Sequence, residues 1–162
     1  MKIVLNGKFI NVEDKVEVSL IDKRTGKVVK REVSKNVLGR VGSAYVMYAF
    51  YNPPSIPQKP CNCVTIYDTA KNVIKTIEGS LSEPKDTGMY WEIEFTAIDD
   101  STDEYTFMYL SLHRFRTGED VCADVDYGDG ELFFKTTDAM TKSADTSLSI
   151  RWVVRVPYKA PP

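Results

Sequence analysis

The chain has 162 residues, with 21 Lys and Arg against 23 Asp and Glu and a formal net charge of -2 at pH 7. So even a balance argues against a dedicated nucleic-acid binder, whose phosphate contacts need a basic surplus on some face. At 43% hydrophobic and 27% charged the composition is that of an ordinary globular domain, and the length suits a single core.

No window approaches the roughly 20 consecutive apolar residues of a membrane helix. The opening run from Met1 to Lys8 turns polar too early for the apolar region of a signal peptide. The expectation is one β-rich domain over residues 1–162, with neither membrane insertion nor secretion by that route.

The chain opens on two hairpins. Ile3, Leu5 and Phe9 flank Asn6-Gly7, a strong two-residue turn signal because both turn positions favour φ > 0. Val16, Val18 and Leu20 then alternate with Glu17 and Ser19, the turn from Asp22 to Gly26 reverses the chain, and Val28 to Val33 returns.

From Asn36 to Tyr51, Val37, Val41, Ala44, Tyr45 and Tyr48 fit one helical face, although Gly39 and Gly42 interrupt it. The spacing predicts at most one short helix, near residues 36–50. Four prolines fall between Asn52 and Pro60; they remove amide donors and predict an extended loop at 52–60 that serves as a contact segment.

A third hairpin follows, Cys63 to Tyr67 and Asn72 to Glu78 around Asp68-Thr69-Ala70-Lys71. From Tyr90 to Ile98, Trp91, Ile93, Phe95 and Ala97 alternate with Tyr90, Glu92, Glu94 and Thr96, the pattern of a half-buried strand. Tyr105 to Leu112 is nearly continuous in apolar residues, as a strand covered on both faces requires.

Short strands recur at 121–126, 131–135 and 147–156, and in the last of these Leu148, Ile150, Trp152, Val154 and Val156 share one face. The tail 157–162 is proline-rich and is not expected to pair centrally. Many short strands separated by Gly and Asp turns indicate an all-β fold, an antiparallel β-sandwich or barrel of jelly-roll-like kind.

Candidate chemistry is sparse. Glu92 and Glu94 share a strand face and could form an acid and base pair, but glycosidases take their two carboxylates from different strands, so a solvated face is the preferred reading. The acidic run 124–131 resembles a calcium loop, yet the twelfth position counted from Asp124 is Lys135 rather than a bidentate Glu, and a plain hairpin turn is preferred.

His113 lies at a strand end with no Gly-x-Ser-x-Gly elbow to supply a nucleophile, and no phosphate-binding glycine loop occurs. The nine tyrosines leave a carbohydrate- or ligand-binding face open as an alternative function. Cys61 and Cys63 are two apart, and Cys122 and His113 are the only other soft ligands. Four-ligand zinc would require all of them to converge, so the expectation is reduced cysteines packed as small apolar groups, with no metal and no cofactor.

Two stretches carry a resemblance. Val18-Ser19-Leu20-Ile21-Asp22-Lys23-Arg24-Thr25-Gly26-Lys27-Val28 contains a D-x-x-T-G-K hairpin and runs on to Asn36-Val37. Near the end, Gly130-Glu131-Leu132-Phe133 precedes Ser143 to Val156 with its Leu148 and Trp152. Together they resemble virion structural proteins of tailed bacteriophages and related viruses. Over the middle the chain departs from that pattern, carrying the proline-rich loop and Cys61-Asn62-Cys63 in place of a Gly-Thr-Gly loop.

The resemblance implies a non-enzymatic capsid-decoration, minor capsid or tail protein, located in the virion and assembled in the host cytoplasm. Its partners would be copies of itself, as a homo-oligomer, and other virion proteins such as the major capsid protein, with no nucleic acid and no membrane. It implies no catalytic residues. The interface candidates are Pro53, Pro54, Ile56, Pro57, Pro60, Pro157 and Tyr158, because proline-rich segments lose little entropy on docking.

Overall fold

The computed structural model describes residues 2–5, 8–35, 37, 39–51, 59–60, 62–113, 115–116 and 130–157, some of them by main chain alone. The elements, in chain order, are β1 (Lys2–Leu5), β2 (Lys8–Asn11), β3 (Glu13–Asp22), β4 (Val28–Lys35), α1 (Arg40–Tyr51), β5 (Lys59–Pro60), β6 (Cys63–Tyr67), β7 (Val73–Leu81), β8 (Lys85–Asp86), β9 (Tyr90–Asp99), β10 (Tyr105–His113), β11 (Phe115–Arg116), β12 (Gly130–Lys142) and β13 (Thr146–Pro157). All strand pairings are antiparallel.

One large sheet runs in the order β12-β10-β6-β7-β9-β13-β3-β4, with β8 added beside β9. It curls into a nearly closed, barrel-like sheet. β1 and β2 form a separate two-stranded sheet, as do β5 and β11.

Side-chain alternation explains the interior. Leu148, Ile150, Trp152, Val154 and Val156 of β13 are all 0–1% exposed, and they meet Val16, Val18 and Leu20 of β3 and Ile93, Phe95 and Ala97 of β9 in one apolar cluster. α1 supplies Tyr45 to this core, edge-on to Phe95 at 5.9 Å and to Trp152 at 6.2 Å between ring centroids. The helix forms despite Gly42 because Val41, Tyr45 and Val46 are buried against the sheet, so packing outweighs propensity.

The two halves of the sheet join through a short pairing, Gly79 to Leu81 of β7 against Ala97 to Phe95 of β9. A Cβ on Gly79 would stand 2.5 Å from the Thr96 carbonyl oxygen and 2.6 Å from Phe95 Cζ. Only a glycine lets the strands approach so closely beside the Phe95 ring.

Several expectations need correction. β12 is 13 residues long rather than five, because the polar run after Lys135 still pairs with β10 through Met140, Thr141 and Lys142. Lys59–Pro60, expected within an extended loop, pairs with β11. Pro157 ends β13 and stands opposite Tyr90 of β9; a strand terminus tolerates a residue that cannot donate. Cys63 is fully buried and disulfide-bonded rather than reduced, its partner lying outside the described residues.

Candidate functional site

The sheet ends in two edges, β4 and β12, which face each other across a seam in the barrel wall. Register sorts the residues of β4. Lys30 stands opposite Leu20, Glu32 opposite Val18 and Ser34 opposite Val16, so they form the inner row, while Arg31, Val33 and Lys35 pair with Ser19, Glu17 and Lys15 on the other face.

An inward-pointing carboxylate on an edge strand replaces an apolar side chain that would seal the core. Glu32 Oε1 accepts a hydrogen bond of 2.7 Å from the Thr137 main-chain N–H of β12. The seam is bridged there from side chain to main chain. Glu32 Oε2 is buried and has no hydrogen-bond partner among the described residues.

Exposed apolar side chains occur along both edge strands. Val28, Val29 and Val33 on β4 are 44%, 62% and 46% exposed, and Leu132 on β12 is 49% exposed. These are four of the seven large apolar side chains classed as exposed among the described residues, the others being Val73, Met89 and Ile98. Edge strands carrying apolar side chains and unpaired main-chain groups are templates for pairing with another chain.

Glu92 and Glu94 lie on the outer face of β9, each tied to an arginine of β13. Arg151 Nε donates to Glu94 at 2.7 Å and Arg155 Nε to Glu92 at 2.9 Å. The Glu94 bond raises the pKa of Arg151 above its ordinary value. Lys15 adds an ion pair with Glu17 at 3.0 Å. The structure thus makes the two glutamates rungs of a cross-strand charge ladder. An open groove of about 420 Å³ crosses this face, lined by Lys15, Lys35, Arg151, Val153 and Arg155 with Glu13 and Asp14.

His113 is buried in a different part of the sheet. Its Nε2 lies 2.7 Å from Thr65 Oγ1 and 3.2 Å from Ser111 Oγ, Thr65 bonds Thr76 at 2.9 Å, and Tyr67 bonds Ser111 at 2.9 Å. The geometry is that of a hydroxyl network on neighbouring strands, and two strands, β6 and β7, separate β10 from the glutamates of β9. An oxidised Cys63 is no thiolate, so the zinc arrangement needing Cys61, Cys63, Cys122 and His113 together does not fit this structure. Among the described residues no three His, Cys, Asp or Glu side chains cluster as metal ligands.

Of the interface candidates, Pro60 and Pro157 lie in strands, while Pro53, Pro54, Ile56, Pro57 and Tyr158 fall outside the described residues, as does most of the acidic run 124–131. The seam went unseen in the sequence because an edge is defined by strand order; the signal available was the run of Val28, Val29 and Val33 with Glu32 among them. Compared with protein-family models, curated proteins and solved structures, the chain matches none. Among the described residues no helix is long and apolar enough to cross a membrane.

Proposed function

We propose that this chain is a non-enzymatic structural protein that assembles in multiple copies, as a capsid decoration, minor capsid or tail component of a virion. The observation that carries the assembly reading is the concentration of exposed valines on β4, an edge strand of an incompletely closed barrel. The virion assignment draws on the resemblance of residues 18–37 and 130–156 to phage structural proteins. Light scattering on the purified chain tests the reading: a defined multimer supports it, and a species that stays monomeric at all accessible concentrations removes it.

A second reading, a carbohydrate- or ligand-binding β module, is favoured by the groove over β13 and β3. Among the described residues no Trp, Tyr or Phe side chain is classed as exposed, so a ligand there would meet Arg151, Arg155, Lys15 and Lys35 instead of an aromatic platform. Glycan and small-anion titrations followed by NMR check it, and unchanged signals from these residues would exclude it.

A further inference from the structure

We propose that β4 is a detachable strand of the barrel wall, held at the seam by a carboxylate latch, Glu32 on the Thr137 main chain, and that it opens as a unit while the rest of the sheet stays folded. The device operates within one chain and does not rest on the multi-copy reading above.

Burial sets β4 apart. Every other strand along the path of the large sheet places apolar side chains in the common core, and β4 places none there. Its inner row is Lys30, Glu32 and Ser34, and its three valines, Val28, Val29 and Val33, are exposed. Burial of apolar surface is the main favourable contribution to fixing a strand, so a segment without it belongs to the low-stability end of a fold.

Two kinds of tie remain. Along β3 the main-chain ladder runs from Lys15 opposite Lys35 to Ile21 opposite Val28, with an irregularity between Leu20 and Ile21, and Arg31 Nε donates to Ser19 Oγ at 3.3 Å. Water replaces such bonds at an exposed edge with a modest net loss for each. Along β12 the described tie is the bond of 2.7 Å from the Thr137 N–H to Glu32 Oε1.

β12 is shaped to make that bond. It pairs with β10 at Lys135 opposite Tyr109 and again at Met140 opposite Phe107, so residues 136–139 stand against Met108 alone. A bulge of this kind interrupts the ladder and re-aims the groups within it. Thr137 thereby leaves the β10 ladder, and its N–H serves the seam.

Opening makes β3 the edge of the sheet, above the core residues Val16, Val18 and Leu20. The latch therefore controls access to the edge on which the closed barrel depends.

Native-state amide hydrogen exchange on the full chain, with urea raised below the unfolding transition, tests the opening without any variant. The amides of β4 that pair with β3 are expected to exchange through an opening that responds weakly to urea, while the β13 amides follow the full slope of global unfolding. Thr137 is expected to exchange with the β4 group and not with Lys135 and Met140, its neighbours on β12. β4 amides as protected as those of β13 and with the same slope overturn the detachable strand, and a Thr137 amide that follows its β12 neighbours overturns the latch.

Two variants test the latch itself. Glu32→Ala removes the acceptor and is expected to speed exchange of the β4 amides about tenfold, whereas Glu32→Gln keeps an acceptor oxygen and should stay closer to the wild type. β4 exchange unchanged in Glu32→Ala overturns the role of Glu32.

Discussion

Trp152 donates its indole N–H to the Asp14 carboxylate at 3.0 Å, joining β13 to β3 inside the barrel. The same oxygen, Oδ2, accepts the main-chain N–H of Val37 at 3.1 Å, which brings in the segment leading to α1. Asp14 is 5% exposed and Trp152 1%. A buried carboxylate with these donors is a junction for three parts of the chain.

Replacing Asp14 by Ala leaves the buried Trp152 N–H and the half-buried Val37 N–H without this acceptor, so the expected loss is about 1–3 kcal/mol of folding stability. Asp14→Asn keeps an acceptor oxygen and should lose less. Urea unfolding of the two variants checks the order, and an Ala variant as stable as the wild type would show that the bond contributes nothing.

Gly79 is the second sensitive point. Gly79→Ala places a methyl group against the Thr96 carbonyl and the Phe95 ring, both well inside van der Waals contact so that the strands must shift, with an expected cost of about 1–3 kcal/mol. Thermal melting should show a lowered midpoint. An unchanged midpoint would mean that β7 and β9 separate freely at this join.

The long strands are legible in the sequence because their alternation is strict: every second residue of β13 from Leu148 to Val156 is apolar, and every one is buried. The second half of β12 was not legible, since Lys135 to Lys142 is polar at most positions. Lys142 is nonetheless 0% exposed, its ammonium donating to the carbonyls of Ser101, Asp103 and Ser143 at 2.6, 2.8 and 3.1 Å. Those acceptors come from turns that only the folded chain brings together. The burial of Asp14, between Glu13 and Lys15, has the same origin: the tertiary donors Trp152 and Val37 allow it. The seam depends on strand order, which local periodicity does not encode.

Acid stability should depend on Asp99. Burial works against its charged form, but bonds from Ser101, Tyr105 and Lys75 outweigh this and hold its carboxyl well below the ordinary 3.8. The Tyr105 hydroxyl donates at 2.6 Å and the Lys75 ammonium lies at 3.2 Å. A folded value below the unfolded one contributes stability that is complete above pH 3.8 and is lost as the pH falls toward the folded value. Stability measured from pH 6 down to pH 2, roughly the span over which such a carboxyl titrates, should decline, with the decline flattened in Asp99→Asn. An identical decline in the variant would assign the acid sensitivity elsewhere.

The disulfide at Cys63 yields a prediction about thiols. Three cysteines with two in one bridge leave one, so labelling under denaturing, non-reducing conditions should titrate one thiol per chain and, after reduction, three. Reduction should cost about 2–4 kcal/mol of stability. Three titratable thiols without reductant would show that the bridge does not form in solution.

The central claim is that the chain functions in multiple copies, and its solution mass tests this most directly. Light scattering over a range of concentrations should give a defined multiple of 18.3 kDa, followed in negative stain by rings or filaments of one kind. A single species of 18.3 kDa at every concentration would contradict it.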